Sequence, residues 1–274
     1  MIKSFLLVLM LSLSSCTEKS EDPIIRLGTS PDYPPFEFKQ NGKLVGFDIE
    51  LAEKIAKELN RKLEIYEIEF NSLIPALQAG KIDLVASGIT ITPERLANID
   101  CTNIYYQGAI IAITKQDKPI NSISDLANKK IGAQLGSFME NFAKKQQATF
   151  NNIEISSLAN NLHLLQELKL GRIDILLLEE GQKKEILQAN PDLVSYTFPK
   201  SGDGYAIALK KDSSLKDPIN QIIKNMKQSG ELKQLEDKWL NVTNGETNNF
   251  LKSLKYIPKG ILITLQYALL SVFF

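Results

Sequence analysis

Histidine is almost absent. The 274 residues contain one, His163, which excludes histidine-based metal clusters and most histidine-dependent catalysis. Cysteine occurs twice, at Cys16 and Cys101, too few for a disulfide-built scaffold. Neither sign of charge dominates, with 32 basic against 32 acidic residues. That balance argues against a broad basic face for nucleic acid and against a charged, disordered chain. No apolar run reaches the ~20 residues of a membrane-spanning helix. The G-x-S-x-G, H-E-x-x-H and C-x-x-C patterns are all missing.

What is present is ordinary globular material: 43% hydrophobic residues, 15 glycines and 11 prolines, in a chain long enough for one large domain or two modest ones. The two ends differ from the middle. Met1-Ile2-Lys3 is a short basic start, and Phe5 to Leu13 is apolar but too short to span a bilayer. Leu13-Ser14-Ser15-Cys16 resembles the lipobox of bacterial lipoproteins, where cleavage precedes the cysteine and its thiol is acylated. Residues 1–15 are therefore expected to be a signal peptide, Cys16 the lipidated residue and 16–22 a polar tether. Cys101 is then left without a disulfide partner, as a small buried residue. At the far end, residues 261–274 read ILITLQYALLSVFF. This run resembles the opening of the first membrane helix of amino-acid ABC permeases. Residues 246–274 are expected to be a hydrophobic tail, the front of a truncated permease fusion.

Between the ends, strand and helix patterns alternate, which predicts an α/β fold with largely parallel sheets. Strands are expected at 24–29, 62–69, 81–87, 104–113, 129–134 and 172–178. Phe47, Ile49, Leu51, Ala52, Ile55, Ala56 and Leu59 recur at helical spacing, and helices are also expected at 72–79, 123–128, 137–147, 160–170 and 214–240, with a short one after Thr92. An internal echo adds weight. Leu77-Gln78-Ala79-Gly80-Lys81-Ile82-Asp83-Leu84 matches Leu168-Lys169-Leu170-Gly171-Arg172-Ile173-Asp174-Ile175, 91 positions on. Both read L-x-x-G-[KR]-I-D-[LI], a helix end, a glycine cap and the start of a buried strand. Two such units predict two similar α/β lobes. Ligands of open α/β sheets sit beyond the strand C-termini. That points to Ser87, Gly88, Ile89 and Thr90 in one lobe, and to Glu179 and Glu180 in the other.

Five motifs stand in order along the chain: Gly28-Thr29-Ser30-Pro31-Asp32-Tyr33-Pro34-Pro35-Phe36-Glu37, Gly46-Phe47-Asp48-Ile49, Leu73-Ile74-Pro75-Ala76-Leu77, Gly88-Ile89-Thr90-Ile91-Thr92-Pro93-Glu94-Arg95, and Lys238-Trp239. In this set residues 23–241 resemble the polar amino-acid family of bacterial periplasmic solute-binding proteins, family 3 of the ABC importers. The resemblance implies a two-lobed periplasmic-binding-protein-like fold of type II. One lobe would be 23–110 plus 204–241 and the other 114–199. A two-strand hinge near 110–114 and 199–204 would let the lobes close on a ligand between them.

The resemblance also implies the ligand contacts. An amino acid brings a carboxylate, an ammonium and a side chain, and each charge needs a partner once buried. Arg95 is placed to grip the carboxylate bidentately, with backbone donors near Thr90 and Ser137, which starts a helical stretch. Glu179 matches the acidic residue that takes the ammonium, with Glu180 beside it as the competing choice. Ser87, the Gly88 carbonyl and the Thr90 hydroxyl add acceptors. Tyr33 and Phe70 match the aromatic walls around the ligand side chain. Gln134-Leu135-Gly136-Ser137-Phe138 resembles a run in arginine-binding members, with Gln134 offering an amide and Phe138 following Ser137. Many binders of basic residues or glutamine carry an acid where Ser30 stands here, so no obvious carboxylate remains for a cationic head.

The expected function is capture of a polar amino acid and delivery to ABC permease subunits. Arginine or another basic amino acid is the first choice and glutamine the next. The expected location is the periplasm or cell envelope, anchored to a membrane by lipid and through the C-terminal apolar segment. No catalytic residue, cofactor, metal or nucleic-acid partner is expected. Two alternatives share the fold: the sensing lobe of a membrane receptor and a periplasmic dehydratase-like enzyme. An enzyme would need a placed acid or base, and His163 lies on a helical face far from the motif loops.

Overall fold

The structure is a computed structural model, and it describes residues 23–199 and 204–240. The signal, lipidation and C-terminal tail expectations therefore lie outside the described residues. Two five-stranded sheets carry the fold. In the first, the strands run in the order Lys62–Glu67, Ile24–Thr29, Leu84–Val85, Ala208–Lys210 and Ile99–Cys101. In the second, the order is Glu154–Leu158, Lys130–Gln134, Ile175–Glu179, Ile110–Lys115 and Leu193–Thr197. Three neighbouring strands of each sheet are parallel and the other two pair antiparallel. The sheets are thus mixed rather than largely parallel: strand Ile110–Lys115 follows Ile99–Cys101 of the other sheet with no helix between them, and Ala208–Lys210 pairs antiparallel with both its neighbours.

Strand Ile110–Lys115 belongs wholly to the second sheet, paired with Ile175–Glu179 and Leu193–Thr197. The first passage between the sheets consequently lies before Ile110, not across 110–114. The long strand expected over 104–113 shrinks to this ladder. Upstream of it, Tyr106 makes only an isolated bridge to Tyr205.

The 91-residue echo is a duplicated structural unit. Gly80 and Gly171 both end a helix in the left-handed region, at φ +70° and +72°. Asp83 then accepts from the Arg26 backbone N–H at 2.8 Å and donates its own N–H to the Arg26 carbonyl. Asp174 makes the same two bonds with Lys130. The packing repeats as well. A Cβ on Gly28 would meet Ile82 and Leu73, and one on Gly132 would meet Ile173 and Leu164; the two isoleucines and the two leucines each stand 91 positions apart. In both units a glycine in the first strand lets a helix lie close on the sheet, so the helix N-terminus and the strand end open on the same edge.

Local chemistry sets the other elements. Helix Phe47–Glu58 buries Ile49, Leu51, Ala52, Ile55 and Ala56 on one face. Thr92 caps helix Pro93–Leu96, Ser137 caps Phe138–Gln147, and Asn160 caps Asn161–Lys169. Expected helix 123–128 is a single 3₁₀ turn, Ile123–Leu126. The helical stretch expected over 214–240 is two helices, Lys216–Ser229 and Glu231–Leu240, broken at Gly230. The second returns Trp239 to Glu50 and Phe38 near the start of the chain. A three-stranded antiparallel sheet, Asp32–Tyr33, Glu37–Gln40 and Lys43–Val45, completes the first lobe.

Candidate functional site

The motif loops converge where the parallel strands end, at the edge where open α/β sheets bind ligands. A small cavity lies there. Tyr33, Phe70, Ser87, Gly88, Thr90, Gln134, Ser137 and Phe138 line it. Eight of the ten residues expected to bind ligand thus share one cavity. Glu179 lines a second small cavity, which shares Thr90, Phe138, Met139 and Tyr205 with the first. Arg95 stands beside them. Its Nη1 donates to the Thr90 carbonyl at 2.8 Å and its Nη2 to the Gly136 carbonyl at 3.0 Å.

Arg95 therefore joins a loop of the first lobe to one of the second. Its guanidinium lies 5.7 Å from the centre of the Phe70 ring. Burial draws it below its ordinary pKa range. Two of its five N–H groups go to carbonyls, which leaves donors for an anion. Ser137 lies just before its helix, its hydroxyl accepting from the Glu140 N–H at 3.1 Å.

The two adjacent acids separate cleanly. Glu179 closes the buried strand Ile175–Glu179 and is itself buried, whereas Glu180 is exposed. Glu179 Oε2 accepts from the Gly181 N–H at 2.8 Å, and Oε1 from the Tyr106 hydroxyl at 3.2 Å. Burial outweighs both bonds and pushes its carboxyl up to about 8. A Cβ on Gly108 would lie 1.6 Å from Oε1, so only glycine leaves the carboxylate this room.

Ser87 and Gly88 rest on two further buried acids. The Ser87 hydroxyl donates to Glu37 at 2.7 Å, and the Gly88 N–H donates to Asp48 at 2.8 Å. Tyr105 also donates its hydroxyl to Asp48. Burial pushes the Asp48 carboxyl up to about 7, and burial together with the Asp48 charge raises Glu37 well above the usual carboxylate range. The aromatic wall is broader than expected. Tyr33 shares a hydroxyl contact of 3.0 Å with Tyr205, and Phe36 packs between Tyr33, Tyr106 and Tyr205.

Sequence reasoning missed Tyr205, Met139 and Asn161 in the lining, and Glu37 and Asp48 beneath it. Glu37 and Asp48 stood inside two of the quoted motifs, and that was their only signal. His163 is exposed on the helix Asn161–Lys169, away from the cavity lining. Cys101 is a buried free thiol. Among the described residues, no helix is long and apolar enough to cross a membrane.

Comparison with known proteins follows this geometry. The family model of bacterial extracellular solute-binding proteins, family 3, matches residues 25–242. The arginine-binding extracellular protein ArtP of Bacillus subtilis is 37% identical over 231 residues, covering 83% of this chain and 90% of ArtP. The ABC transporter arginine-binding protein 1 of Escherichia coli is 32% identical over 222 residues, covering 78% and 90%. A solved ancestral arginine-binding protein bound to arginine superposes with a TM-score of 0.75 at 38% identity, covering 79% of this chain and 97% of that one. Family, fold and the convergence of motif loops on one cleft agree: the chain belongs to the bacterial extracellular solute-binding proteins of family 3.

Proposed function

We propose that this protein captures a basic amino acid, arginine before others, in the cleft between its lobes and delivers it to an ABC importer. One observation carries the reading. The cleft sets a guanidinium, Arg95, on one side and a buried carboxyl, Glu179, on the other, joined through Thr90. That is the polarity of an amino acid's own backbone groups. Arg95 with the N-terminus at Ser137 takes the carboxylate. Glu179, the Thr90 hydroxyl, Ser87 and the Gly88 carbonyl take the ammonium. Tyr33, Phe70 and Phe138 flank the side chain, and Gln134 meets its polar end. The names of the similar proteins support arginine as the first ligand to test. Lipidation at Cys16 would keep the protein at the membrane beside its permease, a reading supported by the cysteine directly after an apolar N-terminal run.

The test is a thermal-shift panel of the twenty amino acids on the full chain. A ligand at 100 times its dissociation constant adds about 2.7 kcal/mol of stability, enough to raise the melting temperature clearly. A rise confined to arginine, lysine or histidine is expected. A rise with glutamine alone would overturn the specificity, and a flat panel on ligand-stripped, folded protein would overturn amino-acid binding.

A further inference from the structure

Glu179 sits in a cradle built around both of its carboxylate oxygens. Each oxygen has one donor: Oε1 accepts from the Tyr106 hydroxyl at 3.2 Å and Oε2 from the Gly181 N–H at 2.8 Å. Each is also flanked by a glycine. A Cβ on Gly108 would lie 1.6 Å from Oε1 and 2.7 Å from the Tyr106 hydroxyl. One on Gly181 would lie 2.9 Å from Oε2 and 2.8 Å from the Phe36 ring. No lysine or arginine pairs with Glu179 among the described residues, and the other charged or titratable groups around it are Tyr33, Tyr205 and Glu180. A carboxylate offers about four lone-pair positions, so two remain for a ligand.

Tyr106 brings this cradle a contact from outside the second sheet. It stands in the passage between the sheets, after strand Ile99–Cys101 and before Ile110–Lys115. Its carbonyl accepts from the Tyr205 N–H at 2.7 Å, which ties it to the return passage. Its ring packs against Phe36, Phe47 and Tyr205, with centroids 5.1, 6.2 and 5.6 Å away. From that footing the hydroxyl reaches the acid that ends strand Ile175–Glu179. Burial and the Glu179 charge hold the hydroxyl far above its ordinary range, and Glu180 and Glu236 add to the effect, so it stays a proton donor.

We propose that Tyr106 is a positioning residue for ligand capture: anchored on the first lobe and the passages between the lobes, its hydroxyl fixes the Glu179 carboxylate, in the space that Gly108 leaves, for the ligand's ammonium. A glutamate carboxylate otherwise turns freely about its last bond, and one donor on each oxygen leaves it a single orientation. A hydrogen bond to the ionised form also favours that form, which is the one an ammonium needs. Tyr106 touches the ligand through Glu179 only. This inference rests on the amino-acid-binding reading of the cleft, with Glu179 as the partner of the ammonium.

Calorimetric titration of the full chain with arginine tests it, in a double-mutant cycle of Tyr106→Phe and Glu179→Gln. Phenylalanine keeps the ring and removes the hydroxyl. In the wild-type background Tyr106→Phe is expected to lower arginine affinity about 10-fold at pH 7, the loss of a bond to a charged group. In the Glu179→Gln background it is expected to cost no more than about 3-fold, because the hydroxyl acts through the acid. Proton release gives a readout that a packing role would not move. With the Glu179 carboxyl at about 8, wild type releases about half a proton per ligand bound at pH 8. A 10-fold weakening through protonation is about one pKa unit, which raises that count to about 0.9 in Tyr106→Phe. Equal losses in the two backgrounds, or an unchanged proton count, would make Tyr106 a packing residue and overturn the proposal, as would unchanged arginine affinity. If Tyr106→Phe fails to fold, Gly108→Ala decides, since its Cβ displaces the same oxygen. Lost arginine affinity in that variant supports the cradle, and unchanged affinity rejects it. Glu179→Gln that binds arginine as tightly as wild type removes both Glu179 and Tyr106 from the site and leaves amino-acid binding standing. Wild type that binds none of the twenty amino acids removes both readings.

Discussion

If Glu179 takes the ligand's ammonium as proposed, ligand affinity should rise with pH between 6 and 8. In the empty protein burial pushes its carboxyl up to about 8, against the opposing hydrogen bonds from Gly181 and Tyr106. An ammonium needs the ionised form. Apparent affinity is the intrinsic affinity multiplied by the ionised fraction. For a pKa of 8 that fraction is about one half at pH 8, about 9% at pH 7 and about 1% at pH 6. Affinity should therefore fall about 5-fold from pH 8 to 7 and about 10-fold more by pH 6, with close to one proton released per ligand bound at pH 7. Over this range a free amino acid keeps its ammonium proton, so the ligand adds no slope. Calorimetry in two buffers of different ionisation enthalpy reads both the affinity and the proton count. Glu179→Gln should bind weakly and lose the slope. A wild-type dissociation constant that is flat from pH 6 to 8, or a slope that survives in Glu179→Gln, would refute the assignment. The stability of the empty protein runs the other way. A carboxyl raised in the folded state contributes stability below its unfolded pKa near 4.5, and that contribution is lost as pH rises through about 8. Asp48 and Glu185, each pushed up to about 7, add to the same decline. Saturating ligand should flatten only the part due to Glu179.

Two further outcomes follow from other contacts. Arg95→Ala should cost at least about 30-fold in affinity, because the ligand carboxylate would be buried without its main partner. It should cost no more than about 1–3 kcal/mol in stability, since the Thr90 and Gly136 carbonyls lose one donor each; unchanged affinity by titration would remove Arg95 from the site. Gly28→Ala should destabilise by about 1–3 kcal/mol through overpacking, because its Cβ would lie 2.3 Å from Ile82 Cδ1. Ile82→Val in the same chain removes that methyl and should recover part of the loss, read as a coupling energy in a denaturant double-mutant cycle.

Local chemistry made much of the fold legible. The glycine caps, the basic residue after each, and the Ile-Asp strand entry were visible as an echo. The structure shows why they recur: Asp83 ties the start of strand Leu84–Val85 to Ile24–Thr29, and Asp174 the start of Ile175–Glu179 to Lys130–Gln134, each through one bond to its carboxylate and one between backbones. The N-caps Thr92, Ser137 and Asn160 fell where the expected helices began. Strand direction was less legible. A run such as Ile110–Lys115, buried on both faces, looks the same in a parallel or an antiparallel ladder, and its partners 63 to 86 residues on leave no local trace.

The site divides along the same line. Residues standing in short motifs after strand ends, such as Tyr33, Ser87, Gly88, Thr90 and Gln134, came together as expected because each loop is built by its own strand. What stayed hidden depends on the two lobes meeting. Asp32 becomes a buried carboxylate only when the N–H of Asn161, 129 residues away, arrives across the cleft. Arg95 reaches Gly136, and Gln182 reaches the Pro34 carbonyl, by the same approach. None of these pairs has a spacing a local pattern can carry, since each joins loops from separate sheets. They also define what a ligand must work with. Arg95 spans the cleft through the Thr90 and Gly136 carbonyls, and Asp32 through the Asn161 N–H. An amino acid that engages Arg95 with its carboxylate, as proposed, would therefore bind one of the contacts that hold the lobes together. On the proposed reading recognition and closure share Arg95, and a ligand lacking the carboxylate should leave the cleft easier to open.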